Sequence, residues 1–179
     1  MVKSIQETSL KWCSVNLSNV ISRGKRLEAS VFDVEAKQAR ERINQNKHGY
    51  AFLNDKDGLI ERAYYPGRFK RIYCQRGSGV GFYLPSQMTD VYPKPEKYIS
   101  KLTKCDLKEL KLKEGTLLLT RSGTIGSVSL VSKTIKDCVF SDDVIRVTFK
   151  NPHDLGYVYA FLKSKIGNLV LTTNGYGSV

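Results

Sequence analysis

The chain has 179 residues, 41% of them hydrophobic, which is enough for a real core and unlike the composition of a disordered protein. No apolar run approaches the roughly 18 residues of a membrane span, and the first residues, MVKSIQETSLKW, lack the apolar stretch of a signal peptide, so neither a membrane protein nor an exported one is expected. Lys and Arg number 29 against 17 Asp and Glu, a formal net charge of +12, and a surplus of that size is costly on a small surface unless a polyanion is an intended neighbour.

Leu10 to Val20 reads as an extended start, with Trp12, Val15, Leu17 and Val20 apolar among small polar residues. Leu27 to Phe32 leads into a helix from Val34 to Lys47, where Asp33 is a good N-cap and Gly49 offers the C-cap. The segment is rich in Glu, Ala, Lys, Gln and Arg, all good helix formers. Its apolar stripe (Val34, Ala39, Ile43) is thin, which places it on the surface. From Gly49 to Tyr98, short aromatic and β-branched runs are cut by Gly, Pro and Asp: Ala63 to Tyr65, Phe69 to Cys74, Val80 to Leu84, and Val91-Tyr92. That is the texture of short strands joined by long loops. Leu102 to Leu112 is Lys-rich and fits either a helix or a solvated turn. The clearest sheet follows, in Thr116 to Arg121, Ser127 to Val131, Val139-Phe140 and Val144 to Phe149.

Asn151-Pro152 fits an N-cap followed by proline at the first helical position. Leu155, Val158, Tyr159, Leu162 and Ile166 then keep helical spacing until Gly167 ends the pattern, giving an amphipathic helix that packs on the sheet. The chain closes on Asn174-Gly175-Tyr176-Gly177-Ser178-Val179, a glycine-rich loop with no anchoring element after it, which points to a fragment of a longer protein.

Catalytic constellations are hard to assemble from these residues. Cys13, Cys74, Cys105 and Cys138 are scattered, and with His48 and His153 they give no zinc spacing. They read as reduced, buried or half-buried thiols of a cytoplasmic protein. Gly77-Ser78-Gly79-Val80-Gly81 precedes Phe82-Tyr83-Leu84-Pro85, which is no helix, so it lacks the helix amino terminus that a phosphate-cradling cofactor loop needs. Asp142-Asp143 and the Glu35 region are the pieces from which a metal-dependent nuclease could be built. An acidic pair after a strand is more commonly a turn or cap.

What is abundant is Arg, Lys, Ser, Thr, Asn, Gln and Tyr interleaved in loops, most densely from Gly67 to Ser78. The basic excess is distributed, nine to five in residues 1–50, thirteen to eight in 51–115 and seven to four in 116–179, so a folded surface rather than a tail carries it. The most informative stretch is TLLLTRSGTIGSVSLV, residues 116–131, two β-type runs flanking Arg121-Ser122-Gly123-Thr124-Ile125-Gly126. Its guanidinium and hydroxyls suit phosphates and base edges, its glycines shape the turn, and it contains no acid or histidine to catalyse.

Gly115 with TLLLTRSGTIGSVSLV is followed by Ser141-Asp142-Asp143-Val144-Ile145-Arg146-Val147, by Gly156 to Ser164 (GYVYAFLKS), and by Tyr176-Gly177-Ser178. Upstream stand PGRFKRIYCQRG (Pro66 to Gly77), Phe82-Tyr83-Leu84 and Lys97-Tyr98-Ile99-Ser100. In order and spacing these segments resemble the target recognition domain of type I restriction-modification specificity subunits, over most of the chain from about Trp12. The resemblance implies an α/β globule of the α+β type: a single domain over residues 1–179 with a twisted mixed sheet, flanking helices and long loops. It implies sequence-specific binding of double-stranded DNA, reading half of a split site, with no catalysis and no cofactor of its own. In such systems a methyltransferase (modification) subunit that uses S-adenosylmethionine and an endonuclease (restriction) subunit are the partners. This chain has one such domain and stops where the spacer, or coiled-coil, helix would begin. The expected DNA contacts are Lys70, Arg71, Arg76, Ser78, Ser86, Gln87, Arg121, Ser122, Thr124 and Tyr176. The competing expectations are a metal-dependent nuclease and a basic protein-interaction module that meets an acidic partner.

Overall fold

A computed structural model describes residues 13–27, 29–54, 56–122 and 125–173 of the chain. The fold is α+β, with strands β1 (Ile60–Tyr64), β2 (Tyr73–Cys74), β3 (Gly79–Tyr83), β4 (Lys97–Ser100), β5 (Leu117–Thr120), β6 (Val128–Leu130), β7 (Val139–Phe140) and β8 (Val144–Phe149). The helices are α1 (Leu17–Ser22), α2 (Val34–Asn44), α3 (Leu107–Leu110), α4 (Asp154–Lys163) and α5 (Lys165–Thr172). Two four-stranded sheets replace the single twisted sheet expected from the sequence, in the orders β1-β8-β5-β6 and β2-β4-β3-β7. Every pairing in the first is antiparallel, whereas the second is mixed because β3 and β7 run parallel.

The two central strands of the first sheet bury residues on both faces because both faces are covered. Alternation sends Leu117 of β5 and Val147 and Phe149 of β8 to one side, where Val158 and Leu162 of α4 meet them. Leu118 and Val144 turn to the other side and pack with Phe140, Met88, Leu112, Val131 and Ile135. A third cluster joins Phe82, Ile99 and Val139 of the second sheet to Leu110 of α3. Each fully buried aromatic or aliphatic side chain here contributes about 1.5–3 kcal/mol.

Several sequence expectations are corrected by this arrangement. Leu17 to Val20 lies in the short helix α1, not in an extended start, and the part of that expectation before Cys13 falls outside the described residues. Helix α2 begins as expected, with the Asp33 carboxylate accepting from the Ala36 N–H at 2.8 Å, but it ends at Asn44 rather than Lys47. Nor is it only a surface helix. Ala36 and Ala39 are buried, and a salt bridge from Glu35 to Lys165 (3.4 Å) and a hydrogen bond from Arg40 to Thr173 (2.7 Å) link it to the end of the chain. Of Phe69 to Cys74 only the last two residues form a strand, and Val91-Tyr92 is an exposed bend. Leu102 to Leu112 condenses into the single turn of α3, with Leu110 and Leu112 buried.

The expected last helix is two helices. Ser164 takes an extended conformation that stops α4, and its hydroxyl accepts from the Gly167 N–H at 3.1 Å to cap α5. Gly167 therefore does not end the helical pattern; it lies inside α5, against the backbone of Phe161.

All four cysteines are free, Cys13 exposed and the others half-buried. Burial, reinforced by the charge of Asp106, pushes the Cys105 thiol above its usual pKa. A thiol titration of the folded chain at mildly alkaline pH is expected to show Cys13 reacting first and Cys105 only slowly. Among the described residues, no helix is long and apolar enough to cross a membrane.

Candidate nucleic-acid interface

The loop between β5 and β6 is held at both ends. At its base the Thr120 N–H donates to the Ser127 carbonyl (3.1 Å), and the Ser127 N–H donates back to Thr120 Oγ1 (3.3 Å). On the incoming side the Arg121 N–H donates to the carbonyl of Asp143 (3.0 Å), tying the loop to the turn between β7 and β8. On the outgoing side the Gly126 carbonyl accepts from Asn168 Nδ2 of α5 (2.9 Å). Gly126 has a φ of +94°, and a Cβ there would lie 2.5 Å from Thr172 Cγ2, so the turn needs glycine for both conformation and space. The scaffold role expected of Gly126 fits this geometry. Gly123 and Thr124 lie outside the described residues.

Arg121 is placed by an aromatic neighbour that no motif of the chain marks out. Its guanidinium carbon stands 4.1 Å from the centroid of the Tyr65 ring, in the segment after β1. A cation–π contact of this kind is worth about 0.5–1 kcal/mol at exposed sites and more when desolvated. Arg121 Nη1 is buried and has no hydrogen-bond partner among the described residues. A buried donor left unpaired costs about 1–3 kcal/mol.

Beside this loop lies an open groove of about 510 Å³, lined by Leu84, Pro85, Ser86, Thr89, Thr120, Ser122 and Ser127. Five of those seven residues carry hydroxyls, which both donate and accept and so match phosphate oxygens and base edges alike. The structure thus brings together Ser86 and Ser122, expected separately, and adds Thr89, Thr120 and Ser127, while Arg121 and Tyr65 stand beside the groove without lining it. Thr120 and Ser127 flank the loop in sequence and could have been chosen for that reason. Thr89 and Tyr65 are distant in the chain and carried no such signal.

Arg71 is adjacent through the same turn. Its Nη2 donates to Asp142 Oδ1 at 2.6 Å, to Ser141 Oγ at 3.2 Å and to Asp143 Oδ2 at 3.4 Å. Burial alone would lower the Arg71 pKa, but the hydrogen bond and charge of Asp142 outweigh it, and the guanidinium is raised above its usual value. Arg71 is therefore a brace of the β7–β8 turn rather than a free contact, which corrects its expected role. The same geometry bears on the nuclease expectation: both aspartates are engaged by an arginine. Among the described residues, no group of three or more His, Cys, Asp and Glu could hold a metal ion.

Asp142 has only 3% of its side chain exposed, so removing it takes the shortest contact from a half-buried guanidinium and leaves it the longer one to Asp143. Asp142→Ala is expected to destabilise the chain by roughly 2–3 kcal/mol in urea unfolding, below the usual range for a fully buried pair because Arg71 can reach water.

The remaining expected contacts separate. Gln87 is buried: its Oε1 accepts from the Leu84 N–H at 3.0 Å and its Nε2 donates to the Lys94 carbonyl. Both ends of the amide serve the backbone, and Gln87 is corrected from a contact to a support for the turn carrying Ser86. Lys70 is exposed next to Arg71, while Arg76 and Ser78 are exposed in the turn between β2 and β3, outside the groove. Tyr176 lies outside the described residues.

No known family model matches this chain, and no curated protein sequence matches it. Among solved structures it is similar to the crystal structure of the HsdS subunit from Thermoanaerobacter tengcongensis, with a TM-score of 0.44 and 11% identity over 90% of this chain and 39% of that one. It is also similar to a structure described under complex assembly and conformational transition of the type I R-M system, with a TM-score of 0.40 and 16% identity. That second likeness covers 87% of this chain and 42% of the other, so the chain spans well under half the length of either.

Proposed function

We propose that this chain binds double-stranded DNA in a sequence-specific way, reading half of a split recognition site as the specificity component of a restriction-modification system. The observation that carries the reading is the hydroxyl-lined groove at the β5–β6 loop, with the Arg121 guanidinium held against Tyr65 beside it. The net charge of +12 supplies the long-range attraction to a polyanion. The ordered motifs that resemble a target recognition domain supply the rest. The proposed contacts are Arg121, Ser122 and Ser86 at the groove, with Thr124 in the same loop, and Lys70, Arg76, Ser78 and Tyr176 as outlying contacts. Chemistry on the DNA would belong to partners, a methyltransferase subunit and an endonuclease subunit, and the chain itself would only bind.

Salt dependence tests the electrostatic part. Duplex affinity is expected to fall at least about a hundredfold between about 50 and 200 mM salt, the slope that four or more phosphate contacts produce. Fluorescence anisotropy with a labelled duplex measures it. An affinity independent of salt would sink the reading.

A further inference from the structure

A second cationic cavity lies on the first sheet, apart from the Arg121 groove and assigned no role above. It has a volume of about 300 Å³, at the lower end of small-ligand sites. Arg62, Lys111, Lys113 and Arg146 line it, against a single carboxylate, Glu61. The sheet register explains the grouping. Arg62 of β1 pairs with Thr148 of β8, and Tyr64 pairs with Arg146, so these four side chains share one face. The register shifts between Ile60 and Arg62, a bulge that brings Glu61 to the same cavity. Arg62 is held by the Tyr64 ring, 4.0 Å from its guanidinium carbon.

Arg146 is the unusual member. It is only 1% exposed, and its guanidinium donates to backbone carbonyls: Val144 at 2.7 Å, Phe140 at 3.0 Å and Leu110 at 3.2 Å. No carboxylate forms an ion pair with it among the described residues, and its Nε is buried without a partner. Burial lowers its pKa, opposed by Tyr64, Glu109 and Asp142, yet an arginine stays charged. A buried cation satisfied only by neutral oxygens is a site short of one negative charge.

We infer that this cavity binds a phosphate group, with Arg146 as the buried cation and Arg62, Lys111 and Lys113 as the exposed rim. The group arrives either as free phosphate or as a backbone phosphodiester of bound DNA, and the two sources share the same oxygens. The inference goes beyond the Arg121 reading and does not need it.

The rim residues Arg62 and Lys113 are exposed, so the double variant Arg62→Gln/Lys113→Gln should fold. Saturating sodium phosphate, compared with sodium chloride at equal ionic strength, is expected to raise the melting temperature of the native chain by roughly 5 °C. The same addition should shift the double variant by less than about 1 °C. Duplex affinity identifies the source: a loss of roughly tenfold in the double variant assigns the cavity to a backbone phosphate, and an unchanged affinity assigns it to free phosphate. Equal phosphate shifts in native chain and variant, or no shift in either, would overturn the inference. Arg121→Ala should keep the phosphate shift, so loss of duplex binding in that variant reports on the groove alone.

Discussion

Gly167→Ala is expected to destabilise the chain by at least about 3 kcal/mol, beyond the usual range for overpacking. A Cβ at that position would lie 2.0 Å from the Phe161 carbonyl oxygen, 2.6 Å from its carbon and 2.9 Å from Leu162 Cα. All three are backbone atoms, so no rotamer change relieves the clash. Relief requires α5 to move off the end of α4, which would disturb the Ser164 cap and the Asn168 hydrogen bond that holds Gly126. The substitution should therefore reach the Arg121 loop from a distance. Gly156→Ala is the matched control: a Cβ there meets nothing within 4 Å, and at this exposed helical position alanine should stabilise by about 0.5–1 kcal/mol. Thermal or urea unfolding of both variants checks the contrast.

Arg121→Ala carries the largest functional effect, an expected loss of about 1–3 kcal/mol in duplex binding if the guanidinium reads a base. Preference at one position of the site should relax at the same time. Arg121→Lys separates charge from geometry, since lysine keeps the charge but loses the planar fork and most of the stacking on Tyr65. If Arg121 reads a base edge, lysine should rescue general affinity and leave the relaxed preference. If it only holds phosphate, lysine should restore nearly everything, and alanine should weaken all sequences alike. Folding should weaken by no more than about 1 kcal/mol, the worth of the Tyr65 contact, because the loop is anchored through the Arg121 backbone.

The hairpin around Arg121 was legible in the sequence because its two strands are neighbours in the chain and its apolar pairs, Leu117 with Leu130 and Leu119 with Val128, sit across a short loop. Long-range pairing was not. Val139-Phe140 reads as part of the same sheet as its neighbours, yet it pairs with Phe82 and Tyr83, more than fifty residues upstream. Periodicity reports which residues are buried and not which sheet takes them. Gly167 departs from its expected role for a related reason: a glycine late in a helical pattern looks like a stop, while here it allows two backbones to touch.

At the site, residue types were easier to choose than roles. Arg71, Gln87 and Arg121 looked equivalent as polar residues in loops. The fold gives Arg71 to two aspartates and Gln87 to two backbone groups, whereas the Arg121 guanidinium is held by the Tyr65 ring. Arg146 passed unnoticed as a site residue, although an arginine between Ile145 and Val147 in a strand buried on both faces is itself a signal. No pattern in sequence could have brought Tyr65 beneath Arg121.

Sequence-specific binding is best tested by selection from a random duplex pool at moderate salt. The native chain is expected to enrich one short motif, and Arg121→Ala to relax at least one position of it. Enrichment of no motif, with all duplexes bound equally, would contradict this reading.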